Sequence, residues 1–239
     1  MVPAQIVDRA RAPDGTPLVL ARRGDEWMVR AGGHVLMTSL AHGSEQALAR
    51  LALERAPGAR EVLLGGLGLG YTLRAALDLL AAPARVVVSE LVAQVVEWNR
   101  GPVAHVAGRP LDDARVEVRV GDVRGEIARA RQGFDALLLD VDNGPAALVT
   151  TGNRGLYGEA GVRRCHAALR DGGVLAVWSA GPDETYLDRL RRAGFDAETH
   201  RPGPGARHRL FLATRLATSA RRGVFLARVA GVPAAGGGR

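Results

Sequence analysis

Between residues 61 and 178 the chain alternates short, mostly aliphatic runs with helical patterns, and this alternation constrains the fold more than any other feature. The runs fall at about 61–65 (EVLLG), 85–89 (RVVVS), 115–120 (RVEVRV), 134–140 (FDALLLD) and 173–178 (GVLAVW). Helical spacing of Leu, Ala and Val fills about 71–81, 91–100, 123–131 and 156–169, and recurs at about 183–192. A strand that is apolar along its whole length needs cover on both faces, and crossover helices provide it. The expected fold is therefore α/β, a doubly wound, mostly parallel Rossmann-like sheet. A sixth run at 208–213 (HRLFLA) follows the Pro/Gly turn PGPGARH and is expected to return antiparallel.

A chain of 239 residues with 47% hydrophobic content can bury one large core plus a small appendage. Residues 17–39 carry short alternating runs broken by Arg23-Gly24-Asp25 and Gly32-Gly33, the pattern of hairpin-linked antiparallel strands. From Ser44, a suitable N-cap, the pattern turns helical. The expected organisation is a β-hairpin appendage over 1–42, an α/β domain over 43–214 and a loosely held tail over 215–239, ending PAAGGGR.

The chemistry concentrates at the ends of the aliphatic runs. EVLLGGLGLGYTLRAALDLL passes from a strand through a glycine turn into a helix, which offers backbone N–H groups and a positive helix end to an anionic or nucleotide ligand. Gly66, Gly68 and Gly70 give G-x-G-x-G; Tyr71 stands where the dinucleotide-enzyme motif has its third glycine. Such turns also serve simply to pack a helix closely on a strand. Three acids close three successive runs: Glu90 in SELV, Asp122 in VGDV and Asp140 in LLLDVD. Glu90 lies about 20 residues past the glycines, where an acid meets ribose hydroxyls. Helix capping is the plainer role for Asp122. It does not suit Asp140, because DVDNGP opens a loop. On a strand Asp140 and Asp142 share a face, so their carboxylates would crowd one site and hold a cation or share a proton.

Other function classes recede. The net charge is +7, yet all 32 basic residues are arginine, they are dispersed, and aromatic residues for base stacking make up only 4%; specific nucleic-acid binding is not expected. Cys165 has no partner for a disulfide or zinc site. No His, Cys or acidic spacing suggests a metal, and no nucleophile elbow is present. No apolar run approaches the ~20 residues that span a bilayer, so the expectation is a soluble, cytoplasmic protein.

Taken together, GGLGLGYTLRAAL, SELV, GDV and FDALLLDVDNGP resemble, in order and spacing, the spermidine-synthase-like branch of the class I S-adenosylmethionine (AdoMet)-dependent transferases over roughly residues 17–214. The resemblance implies that Gly66, Gly68 and Gly70 cradle the cofactor and that Glu90, with Leu91 beside it, binds the ribose. It further implies that Asp122 and the Val123 backbone meet the adenine, and that Asp140 lies between the cofactor sulfur and the acceptor. Asp140 and Asp142 take the family's catalytic place, Glu45 of His42-Gly-Ser-Glu45 stands near its Tyr-x-Glu, and Tyr157 lies where the family has a loop over the site. His42 is a candidate base, and Trp178 a pocket or packing residue. Departures include Leu69 where aminopropyltransferases carry an amine-binding aspartate, and an altered Asp-x-x-Asp-Pro. These departures favour methyl transfer from AdoMet to a small amine, hydroxyl or carboxylate acceptor. The alternatives are aminopropyl transfer from decarboxylated AdoMet and a non-catalytic nucleotide-binding scaffold. A homodimer joined through the β-appendage is the implied assembly.

Overall fold

The computed structural model describes residues 3–141, 144–145 and 154–217. A four-stranded antiparallel sheet comes first, formed in chain order by β1 (Gln5–Arg11), β2 (Pro17–Arg23), β3 (Glu26–Ala31) and β4 (His34–Thr38). Helix α1 (Gly43–Arg55) leads into the main sheet. There β5 (Glu61–Gly65), α2 (Tyr71–Leu79), β6 (Arg85–Glu90), α3 (Ala93–Arg100), β7 (Val116–Val120), α4 (Val123–Arg129) and β8 (Phe134–Leu139) alternate. After them come α5 (Arg154–Tyr157), α6 (Glu159–Ala168), β9 (Leu169–Ser179), α7 (Glu184–Ala193), β10 (Phe195–His200) and β11 (Arg209–Arg215).

The main sheet has seven strands in the order β10-β11-β9-β8-β5-β6-β7. Its strands from β9 to β7 run parallel, while β11 returns antiparallel between β9 and β10. This is the expected doubly wound arrangement. Two strands go beyond the expectation, β1 in the first sheet and β10 at the far edge. Both are edge strands with polar sequences, QIVDRAR and FDAETH, and half-exposed faces.

Strand alternation sorts the core into two clusters. Val62, Leu64, Ala136, Leu138, Val174 and Ala176 face α1 to α3 and join the first sheet's Leu18, Leu20, Trp27 and Val29 in one cluster. Leu63, Leu137, Leu139, Leu175 and Val177 face α4 to α7. The β-appendage thus shares its core with the α1 face of the main sheet. It is pinned there by Asp8, whose carboxylate accepts hydrogen bonds from the Trp98 indole N–H at 2.8 Å and the Gln94 amide at 2.9 Å. Helix ends carry their own signals: Asp183 caps α7 by accepting from Tyr186 N, and Gly194 closes it at φ 96°.

Candidate active site

The order of the main sheet reverses beside β5, which pairs with β6 on one edge and with β8 on the other, so the crevice opens at the carboxyl ends of β5 and β8. The glycine turn leaves β5 there. Gly66, Gly68 and Gly70 all have positive φ, at 85°, 55° and 88°. At Gly66 no other residue fits, because a Cβ would stand 2.2 Å from the Asp140 carbonyl oxygen, a backbone atom that cannot yield. The missing side chain lets the turn and the end of β8 lie against one another. Gly70 is the left-handed N-cap from which α2 starts.

Glu90 ends β6, is 8% exposed, and spans the turn: Oε2 accepts from Leu67 N at 2.8 Å and Oε1 from Val92 N at 2.9 Å. A carboxylate has about four lone-pair directions, so bracing the turn does not by itself exhaust its capacity to meet a diol. Leu91, next to it, is half exposed. Asp122 is the N-cap of α4, accepting from Arg124 N at 2.8 Å and from the Arg124 guanidinium, which holds its carboxyl below the usual range. Val123 is buried against Gly65. The capping role is therefore present in the fold, with Asp122 still partly open to solvent.

Asp140 comes directly after the last residue of β8, and its amide donates to Gly65 O at 2.9 Å. Some of its surface stays accessible, yet its carboxyl is closely surrounded. Burial pushes its pKa up to about 7; the Thr72 hydroxyl, donating to Oδ2 at 2.6 Å, pulls the other way, and the negative Glu45 adds to the rise. Glu45 thus acts on Asp140 from the first turn of α1, its own carboxylate accepting from Ser44 Oγ at 2.6 Å. Tyr71 lies in the same corner, its phenol pKa raised by burial and then by Glu45. His42 stacks on Tyr71 with ring centroids 4.0 Å apart and planes within 9°, and the Tyr71 hydroxyl donates to Ser39 O at 3.0 Å. The turn, Glu90, Glu45 and Asp140 are thereby gathered at one end of the sheet.

Tyr157 sits elsewhere. It is 1% exposed within the α4–α7 cluster, edge-on to Tyr186, and its hydroxyl donates to Val141 O at 3.2 Å. Its contact with the site is thus through the backbone just past Asp140. Asp142 lies outside the described residues. Leu69, 4% exposed, packs in the core, so its side chain does not report which group a bound sulfonium carries.

Sequence reasoning passed over Thr72 and Asn99. Thr72 was detectable as a hydroxyl in the first turn of the helix after the glycines. Asn99 had no local signal: it is buried in α3, and its amide donates to Gly68 O and Val95 O, both at 2.9 Å, which pins the turn from outside. Trp178 takes the register position beside Asp140, next along from the pairs Leu138–Ala176 and Leu139–Val177, and its ring lies 4.7 Å from His208. Among the described residues no group of three His, Cys, Asp or Glu side chains is arranged to hold a metal, and no helix is long and apolar enough to cross a membrane.

No family model matches the chain. Curated relatives do. A polyamine aminopropyltransferase of Nitrosomonas europaea is 34% identical over 127 residues, covering 52% of this chain and 36% of the relative. Polyamine aminopropyltransferase 2 of Pseudomonas aeruginosa is 34% identical over 122 residues, covering 49% and 33%. One from Bacillus subtilis is 26% identical over 137 residues, covering 56% and 46%. The matches thus span a third to a half of these relatives' length. Among solved structures, spermidine synthase from Thermotoga maritima superposes with a TM-score of 0.72 at 18% identity, covering 88% of this chain and 73% of that one. A spermidine synthase in complex with the transition state analogue AdoDATO gives 0.74 at 17%, covering 88% and 74%. The chain is similar to the spermidine-synthase-like branch of AdoMet-dependent transferases, as its motifs suggested. The expectation of methyl transfer is corrected: the relatives are named for aminopropyl transfer, and the Leu69 departure that favoured methyl transfer concerns a side chain turned into the core.

Proposed function

We propose that the chain transfers an aminopropyl group from decarboxylated AdoMet to an amine acceptor. The observation that carries this reading is the Asp140 carboxyl, placed at the end of β8 between Thr72 and Glu45 with a pKa near 7, in a chain similar to polyamine aminopropyltransferases. An acceptor amine attacks only through its lone pair, so it must shed a proton on binding or in the reaction. The carbon–nitrogen bond forms as the carbon–sulfur bond breaks, the sulfur leaves as a thioether, and the nitrogen's proton passes to Asp140. A carboxyl titrating near neutral pH is well matched to that transfer. Glu45 supplies negative charge for an ammonium, and holding donor and acceptor in line accounts for much of the remaining rate.

The residues present suit the nucleoside part of the donor. Gly66 has no side chain to obstruct the turn, Glu90 places a carboxylate at the end of β6, and Asp122 with Val123 stands at the end of β7. A homodimer through the β1–β4 sheet belongs to the same reading and is tested by light scattering. The decisive experiment is calorimetry with decarboxylated AdoMet, AdoMet and methylthioadenosine, together with product analysis with a diamine. Tighter binding of the decarboxylated form and an aminopropylated product are expected. Preference for AdoMet, with no aminopropylated product, overturns the proposal.

A further inference from the structure

Thr72 has a different standing from the other hydroxyls of the chain. It sits in the second position of α2, is 2% exposed, and spends its proton on Asp140 Oδ2 at 2.6 Å. An ionised carboxylate only accepts, so the hydroxyl must be the donor when Asp140 is charged. Among the described residues Oδ1 takes no hydrogen bond, and Asp140 keeps accessible surface. The two ends of this contact are held independently. Thr72 rides on α2, whose start is set by Gly70, and Asp140 is fixed by its amide bond to Gly65 O and by the close approach of Gly66 to its carbonyl.

We propose that Thr72 is the positioning residue of the site: its hydroxyl binds one oxygen of the Asp140 carboxyl and thereby fixes the other as the oxygen that takes the acceptor's proton. This inference rests on the aminopropyl-transfer reading for the identity of the acceptor, although the Thr72–Asp140 contact itself does not. Without the hydroxyl a carboxyl can turn about its terminal torsion, which is broad and roughly two-fold, and its basic oxygen would no longer point one way. Other elements packed on Asp140 do not replace it. From α1 comes Glu45, whose like charge disfavours ionisation; Tyr71, at the start of α2, has a raised pKa and stays neutral; β5 offers the backbone of Gly66; β9 offers the neutral Trp178. Thr72 is the favourable partner against burial and Glu45, consistent with a carboxyl that still ionises near neutral pH.

The test uses Thr72→Val, which keeps the shape and removes the hydroxyl, and Thr72→Ser, which keeps the hydroxyl and drops a methyl. Two readouts are taken on the full chain. The first is the carboxyl titration of Asp140 by carbon NMR with labelled aspartate, assigned with Asp140→Asn, and it requires no substrate. A hydrogen bond to a charged group corresponds to an upward shift of about one pH unit when removed. The second is the pH profile of aminopropyl transfer, in which the acidic limb should move up by about the same amount and kcat at pH 7 fall about tenfold or more, with donor affinity little changed. Thr72→Ser should restore both. An unshifted titration in a folded Thr72→Val protein, or equal losses in Val and Ser, overturns the positioning role. If the titration shifts as expected and no amine is turned over by the wild type, the functional reading fails while the Thr72–Asp140 coupling stands.

Discussion

Replacing Asp140 by Asn separates what the site needs from what the fold prefers. The carboxyl titrates at about 7 in the folded chain against an ordinary aspartate value of 3.8, so between those values the folded state holds a proton the unfolded state has released. Stability therefore falls as pH rises from about 4 to about 7 and stays reduced above it. A gap of about three pH units corresponds to about 4 kcal/mol. Because Asp140 keeps some accessible surface, about 2–4 kcal/mol is the range to expect, a large share of the ~5–15 kcal/mol that holds a typical domain together. Asn cannot ionise but retains an acceptor for the Thr72 hydroxyl. Asp140→Asn should match the wild type near pH 4 and exceed its stability by about 2–4 kcal/mol at pH 8, while turnover falls by about 10²–10⁴ with donor affinity preserved. Urea unfolding at pH 4, 6 and 8, with single-turnover measurements, reads both effects. A stability difference that does not vary with pH, or a variant less stable than wild type at pH 8, would refute the assigned burial of this carboxyl.

Glu90→Gln should lower stability by about 1–3 kcal/mol, because an amide can accept from only one of the Leu67 and Val92 N–H groups and turns its own N–H toward the other; thermal unfolding would then drop by about 3–10 °C. Wild-type stability in that variant would remove Glu90's bracing role. Gly66→Ala should fail to fold or lose more than about 3 kcal/mol, since left-handed backbone adds to a clash with a carbonyl. Gly68→Ala meets the yielding Met37 thioether and should cost about 1–2 kcal/mol. Equal losses at the two glycines, measured by chemical unfolding, would contradict the close approach to Asp140. Binding to duplex DNA should be weak and fall steeply with salt, as for non-specific phosphate contacts. Sequence-discriminating binding at physiological salt would show that the dispersed arginines, many of them ion-paired, form a recognition surface after all.

The parts legible in the sequence are those fixed by local pattern. EVLLG, RVVVS and FDALLLD announce strands because strands covered on both faces have no polar alternation, and the glycine turn sits between a strand and a helix wherever either is placed. QIVDRAR and FDAETH gave no such signal. An edge strand needs apolar residues on one side only, and β1 is secured by Asp8 reaching Trp98 and Gln94, a contact some 90 residues away in sequence that no window contains. The same limit applies at the site. Asp140 was visible as an acid ending a strand, but its partner Thr72 belongs to another strand–helix unit, and a hydrogen bond across 68 residues arises only from how α2 and β8 pack. Leu69 misled for the same reason: motif alignment gives a residue's order along the chain, while the direction of its side chain is set by the core beneath it.

Asp122 and Asp140 occupy equivalent places at the ends of neighbouring crossover units, yet their surroundings push them in opposite directions. Asp122 caps a helix and is bound by Arg124, so its carboxyl is held below the ordinary range and remains charged at any physiological pH. Asp140 opens no helix, has no cation beside it among the described residues, and lies between the Gly66 backbone, Thr72 and the field of Glu45. A charged carboxylate with satisfied partners binds and orients. A carboxyl near its titration point can exchange a proton at little cost. The fold thus assigns the two acids different chemistry through their C-terminal neighbours, Val-Arg-Gly-Glu in a helix for Asp122 and the DVDNGP segment for Asp140. The close approach of Gly66 to the Asp140 carbonyl then keeps the second acid beside the donor's turn and away from solvent.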